Sequence, residues 1–198
     1  MTNTARKQHH PNLMFSHFGF AVKDLELMTD FYTRVLDFTI TDQGETHGMD
    51  LIFLSRDPMD HHQVVLVSGK PDGIPPNPFI DQFGSVINQI SFRVSSLPEL
   101  RKLHGIFQEE NVQRIFPANH GIAWSIYAHD PEGNNLEFFV DTEWYFPQPF
   151  LVPLDFAQSD EEIYATTETF SKEQEGYEPY PAWRNRIANK MNAYVAGQ

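Results

Sequence analysis

Glu137 stands inside Leu136-Glu-Phe-Phe-Val140, an apolar and aromatic run that reads as a β-strand. A carboxylate in such a strand is costly to bury unless something pairs with it, and a metal ion is one such partner. The other reading is that side chains alternate and Glu137 faces water. The strand is the return arm of a hairpin. Trp124 to Ala128 supplies the first arm, and Asp130-Pro131-Glu132-Gly133-Asn134 is a run of turn formers.

The elements that must position this hairpin can be read along the chain. Phe15 to Val22 is a strand candidate. Asp24 then caps a helix whose apolar face is Leu25, Met28, Phe31, Tyr32, Val35 and Leu36. Strands follow at Thr39 to Asp42 and Asp50 to Ser55. After a turn at Asp57 to Asp60, His61-His62 opens a returning strand that ends at Val67. Lys70 to Pro78 is rich in Pro and Gly and reads as a linker. The order then restarts with a strand over Ile87 to Val94. Ser96 caps a helix with Leu97, Leu100, Leu103, Ile106 and Phe107 on its apolar face. Asn111 suits the end of that helix, and Val112 to Phe116 is a strand leading into the hairpin.

Composition bounds the function. A chain of 198 residues that is 40% hydrophobic and 14% aromatic can bury a core. There are no cysteines, so disulfides, thiolate metal sites and a cysteine nucleophile are excluded. The formal net charge of -13 argues against nucleic acid or an anionic membrane as partner. No apolar run approaches the length of a membrane span, and Met1 to Pro11 lacks the apolar core of a signal peptide. The expectation is a soluble, cytoplasmic protein with a loose N-terminal arm.

The two halves can be laid on each other. Ser16 to Val22 matches Asn88 to Val94, and Arg56 to Val64 matches His129 to Glu137, with spacings that agree to within one residue. Each half is a β-α-β-β-β unit, and a repeat of this length points to two similar modules packed together. Such a repeat resembles the vicinal-oxygen-chelate superfamily of glyoxalases, bleomycin-resistance proteins and extradiol ring-cleaving dioxygenases, over about residues 13 to 142. The resemblance implies an α+β fold in which two tandem βαβββ modules form a curved mixed sheet around a metal site, with a C-terminal helical tail added here. The expected divisions are a flexible arm over 1–12, modules over 13–70 and 87–142, a linker over 71–86, and a tail over 143–198 that packs on the modules.

The superfamily takes its metal ligands from the first and last strand of each module. Those places hold His17, Val64, Gln89 and Glu137, of which Val64 cannot ligate. The resemblance therefore implies His17, Gln89 and Glu137 as metal ligands. It is closest to the ring-cleaving dioxygenases, through the paired His61-His62, a further histidine at His120 and a tyrosine at Tyr127. These imply His62 as acid–base group facing bound oxygen, with His120 and Tyr127 orienting the substrate oxygens. Phe18, Trp124 and Phe138 are the expected substrate-binding side chains. Where those dioxygenases carry a second histidine, this chain has Gln89. The usual set of two histidines and one carboxylate, suited to Fe(II), then becomes one imidazole, one amide and one carboxylate, which also admits Mn(II) or another divalent cation.

The implied activity is cleavage of a catechol-like aromatic diol with O2 by a homodimer. Two other classes remain. One is a glyoxalase-like lyase or isomerase that uses metal and base but no oxygen. The other is a protein that binds an aromatic compound in a cavity resting on Phe18, Phe20, Phe53, Trp124 and Phe138 without turnover. In the tail, Ser159-Asp-Glu-Glu162 reads as a helix start that Ile163 to Phe170 continues. Trp183 to Tyr194 suits a last helix after the break at Pro179 to Pro181. The tail's aromatic residues favour a surface wrap over a lid.

Overall fold

A computed structural model describes residues 14–73 and 87–196. The expected arm over 1–12 and most of the expected linker lie outside the described residues. Two passes of the same element order are present. The first is β1 (Phe18–Val22), α1 (Leu25–Asp30) with a following π-helical turn (Phe31–Val35), β2 (Thr39–Thr46), β3 (Met49–Ser55) and β4 (Val64–Ser68). The second is β5 (Ile90–Arg93), α2 (Leu97–Glu109), β6 (Gln113–Asn119), β7 (Ala123–His129) and β8 (Asn135–Asp141). Then come β9 (Trp144–Tyr145), β10 (Val152–Pro153), α3 (Asp160–Glu173), β11 (Glu178–Pro179) and α4 (Tyr180–Ala196).

The fold is mixed α+β. The expected mixed sheet takes the form of a four-stranded sheet ordered β1-β4-β3-β2 and a five-stranded sheet ordered β10-β6-β7-β8-β5. In each module the first strand runs parallel to the last, β1 beside β4 and β5 beside β8. Parallel neighbours need a crossover, and α1 and α2 provide it. The register corrects one detail of the sequence alignment. Phe18 pairs with Val64 and Ile90 with Leu136, so Gly19–Val65 corresponds to Ser91–Glu137. The counterpart of Glu137 is Val65, one residue beyond Val64, because the turn before β4 is one residue longer than the turn before β8. Valine cannot ligate at either position.

By internal packing the chain forms two compact units, one comprising Phe15–Phe116 with Ile126–Phe139, the other Pro117–Ser125 with Val140–Gln198. In the first unit, Asp24 accepts from the Leu27 amide at 2.9 Å and caps α1 as expected. The helix then widens. Leu36 N–H donates to the Phe31 carbonyl, and Phe38 N–H to that of Tyr32. The widened turn buries Phe31, Tyr32, Val35 and Leu36 together. Ser96 caps α2, and Asn111 takes a positive φ of 54° just past its end.

The β7–β8 turn is built on Asp130, which is 2% exposed. Its Oδ1 accepts from the amides of Glu132 and Asn134 at 3.0 and 2.9 Å, and its Oδ2 from Asn134 Nδ2 at 2.7 Å. Gly133, at φ 80°, closes the turn. From the same turn Glu132 reaches the first module. Its Oε1 accepts from the Lys23 and Asp24 amides at 2.5 and 2.9 Å, and its Oε2 from Lys70 Nζ at 2.9 Å.

In the second unit, β10 pairs with β6 through Val152 and Asn119. Ser159 and Glu162 form the capping box of α3. Thr167 of α3 is buried. Its Oγ1 accepts from Asn119 Nδ2 at 2.7 Å and Trp124 Nε1 at 2.9 Å, and donates to the Ile163 carbonyl. Helix α4 begins at Tyr180, earlier than expected, because a proline within the first helical turn, here Pro181, lacks only an N–H that has no intrahelical partner there. The short strands β9, β10 and β11 had no sequence signal.

Two expectations follow. Burial pushes the Asp130 carboxyl up to about 6 from an ordinary value of 3.8, so between those values the folded state holds more protons than the unfolded chain. Stability contributed by this group is therefore greatest below that window and falls as pH rises through it, by on the order of 2 to 3 kcal/mol. Urea denaturation across the window gives a stability that falls more with rising pH in the wild type than in Asp130→Asn. Gly121 has φ 74°, and an added Cβ would meet Phe146 Cε1 at 2.2 Å. Gly121→Ala lowers stability by about 1 to 3 kcal/mol in thermal denaturation.

Candidate functional site

Glu137 is 8% exposed at the middle of β8. Its Oε2 accepts from Gln89 Nε2 and from Ser91 Oγ, each at 2.7 Å. Its Oε1 accepts from the Tyr127 hydroxyl at 2.8 Å. Gln89 Nε2 also lies 3.1 Å from Ser91 Oγ. Backbone geometry brings these groups together: Ser91 is the β5 partner of Glu137, and Gln89 is two residues earlier on the same face. These three donors are neutral and offset part of the cost of taking the carboxylate out of water. Burial, then the Glu137 charge, raises the Tyr127 pKa far above its ordinary value, so this hydroxyl stays a donor at neutral pH.

His17 precedes β1 just as Gln89 precedes β5. It is exposed, and its ring meets that of His62 edge-on with centroids 4.2 Å apart. His62 also packs on Phe53 at 5.2 Å, and its Nδ1 lies 2.8 Å from His61 Nδ1. That bond requires one of the two Nδ1 atoms to carry a proton and the other to be bare. His61 Nε2 in turn stands 3.7 Å from Asp42 Oδ2. Burial lowers the His62 pKa, the neighbouring His17 and His61 lower it further, and Asp60 opposes them. The pair lies ahead of β4, which begins only at Val64, so their direction is set by packing on Phe53 and not by strand alternation.

The structure brings Gln89, Tyr127 and Glu137 into contact, and His17 into contact with His62. The other expected site residues are placed differently. Phe18 and Phe138 follow His17 and Glu137 by one residue, so they occupy the opposite face, towards the helices. Phe138 stacks on Phe92 at 5.3 Å and meets Phe107 of α2 edge-on at 5.0 Å. Both line a cavity of about 1080 Å³ with Phe38, Phe92, Leu103 and Ile106, and Gln89 and Ser91 lie on its wall. His120 belongs to the second unit. There its Nδ1 lies 2.8 Å from the Phe150 carbonyl, and its own carbonyl accepts from Gln148 Nε2. Trp124, expected against substrate, is 4% exposed in that unit. Its Nε1 bonds Thr167, and its ring packs edge-on against Trp144 at 6.2 Å, so it is a core residue beneath α3. Ser91 was missed from sequence, although its place two residues after Gln89 on one strand face was a usable signal.

Among the described residues, no three His, Cys, Asp or Glu side chains form a group able to hold a metal ion. Gln89 is the neutral oxygen- and nitrogen-bearing side chain in contact with Glu137. The donor chemistry of His17, Gln89 and Glu137 fits a divalent cation. A nearly buried carboxylate supplies the charge, and one amide oxygen and one imidazole supply neutral donors. Ser91 and Tyr127 are the kind of outer partner that orients a ligating carboxylate.

The family model described as Glyoxalase/Bleomycin resistance protein/Dioxygenase superfamily matches residues 14–138. Biphenyl-2,3-diol 1,2-dioxygenase 2 of Rhodococcus globerulus is 29% identical over 127 residues, 64% of this chain and 62% of the relative. Biphenyl-2,3-diol 1,2-dioxygenase 3 of the same organism is 27% identical over 126 residues, again 64% and 62%. The match thus spans about 62% of the length of either curated relative. Among solved structures, a glyoxylase/bleomycin resistance protein/dioxygenase domain from Frankia sp. EAN1pec superposes with a TM-score of 0.56 at 20% identity, covering 67% of this chain and 95% of that one. That likeness concerns the fold.

The histidine cluster makes a measurable prediction. An NMR titration places the His62 pKa below the ordinary histidine value, and His17→Ala raises it, because a ring that both buries His62 and competes with its charge is gone.

Proposed function

This chain belongs to the Glyoxalase/Bleomycin resistance protein/Dioxygenase superfamily, and on that premise we propose that it is a metal-dependent extradiol-type dioxygenase that opens a catechol-like aromatic diol with O2. The observation that carries this reading is the nearly buried Glu137 carboxylate, in contact with Gln89 and held by two hydroxyls. Two relatives named as biphenyl-2,3-diol dioxygenases support it.

His17, Gln89 and Glu137 would hold the cation, Fe(II) in this reading and Mn(II) in second place. Bound there, it supplies a Lewis acid that makes a diol hydroxyl easier to deprotonate and a centre at which diol and dioxygen meet. His62 is the acid–base group. Its lowered pKa keeps it neutral near pH 7 and able to take the diol proton. With Nδ1 engaged by His61, Nε2 is the atom that exchanges it. Tyr127 fixes Oε1 of Glu137 by donating to it and keeps its own proton.

Gln89 favours a second reading. An amide oxygen in place of an imidazole makes a harder donor set, which suits Mn(II) or Mg(II) and a lyase or isomerase that uses a base but no oxygen.

Oxygen-electrode assays with catechol and 2,3-dihydroxybiphenyl, with and without added Fe(II), separate the two. The dioxygenase reading expects O2 consumed in equal amount to diol lost, and only with metal. Metal-dependent isomerisation without oxygen uptake would favour the second, and tight aromatic binding with neither would make the protein a binder. In the first case His62→Ala retains bound metal and loses turnover by about 100-fold or more. Glu137→Ala loses the metal, as elemental analysis reads directly.

A further inference from the structure

We propose that Ser91 is a positioning residue for the Glu137 carboxylate, and that it holds this group in the cation-loaded state when Gln89 cannot; this rests on the reading of His17, Gln89 and Glu137 as the cation-holding set. Two donors share Oε2, Gln89 Nε2 and Ser91 Oγ, at the same 2.7 Å. They are not equivalent. An amide carries its oxygen and its NH2 on opposite corners. The turn of the amide that aims Gln89 Oε1 at a cation moves Nε2 with it, so the bond from Gln89 to Oε2 depends on how Gln89 ligates. Ser91 has no such dependence, since its hydroxyl donates and ligates nothing.

The backbone favours Ser91 as well. It is the parallel-ladder partner of Glu137, so its Oγ is one rotatable bond from a fixed strand, whereas the Gln89 amide hangs on three. The same ladder position in the first module holds Gly19 opposite Val65, with no polar atom on either side chain. The hydroxyl stands only in the module that carries the carboxylate. Ser91 itself is exposed on the residue surface, so core packing gives no reason for a serine there.

The test is Mn(II) titration of the full chain, followed by the EPR signal of free Mn(II), for the wild type, Ser91→Ala and Ser91→Thr, with thermal denaturation of each metal-free protein. The expected result is an affinity about 10-fold or more weaker in Ser91→Ala. Ser91→Thr, which keeps the hydroxyl, retains wild-type affinity, and metal-free Ser91→Ala melts only slightly lower, because Gln89 and Tyr127 still donate to Glu137. Equal Mn(II) affinity in Ser91→Ala and wild type overturns the role of Ser91 and leaves the cation reading standing. Weaker binding in both variants with matching loss of metal-free stability also overturns it, because Ser91 would then be structural. A wild type that binds no Mn(II) overturns the cation-holding reading itself, and the role of Ser91 with it.

Discussion

A carboxylate in the middle of an otherwise apolar strand must be answered by its neighbours, and much of the first unit's polar geometry is that answer. Glu137 lies between Leu136 and Phe138, both buried. Left in a low-dielectric environment without donors, it would take up a proton or distort the strand. The strand order prevents this. Placing β8 between β7 and β5 puts Tyr127 on one side of the carboxylate and Ser91 with Gln89 on the other. Each donor comes from a hydrogen-bonded strand or the residue just ahead of one, so the constellation is set by ladder register and not by a loop.

The two modules share a backbone plan and differ in chemistry. The ladder that sets Ser91 beside Glu137 sets Gly19 beside Val65. The first module contributes its polar groups from outside its strands, through His17 ahead of β1 and the His61-His62 pair ahead of β4. Glu132 ties the modules by accepting from two amides at the start of α1 and from Lys70. Its side chain is 8% exposed and that of Lys70 is 15% exposed, so this ion pair is shielded from solvent in a way the surface pairs are not.

The repeat, the capped helices and the hairpin around Asp130 were legible because each rests on local rules: period, cap residue, turn residue. Glu137 was legible for the same reason, as a charge that breaks an apolar pattern. Val65 was misread as Val64 because the two turns differ in length by one residue, and alignment by the shared Asp-Pro landmark hides that. Trp124 was misplaced because its partner, Thr167, lies far along the chain on α3, and no local pattern links a tryptophan to a distant threonine. Phe18 and Phe138 line a cavity, but alternation puts them on the face away from the carboxylate. The π-helical turn had no sequence signal at all, since its residues also satisfy an ordinary α-helical stripe.

The chain has three tryptophans, Trp124, Trp144 and Trp183. All three fall in the unit formed by Pro117–Ser125 and Val140–Gln198, and none in the unit that holds Glu137, His17 and His62. Indole emission is therefore a built-in optical label for one half of the molecule. Its red shift in denaturant follows the loosening of Trp124 from Thr167 and Trp144, while amide circular dichroism follows the secondary structure of both halves. The two signals diverge wherever the halves lose structure at different denaturant concentrations, so one cuvette can measure how cooperative this protein is.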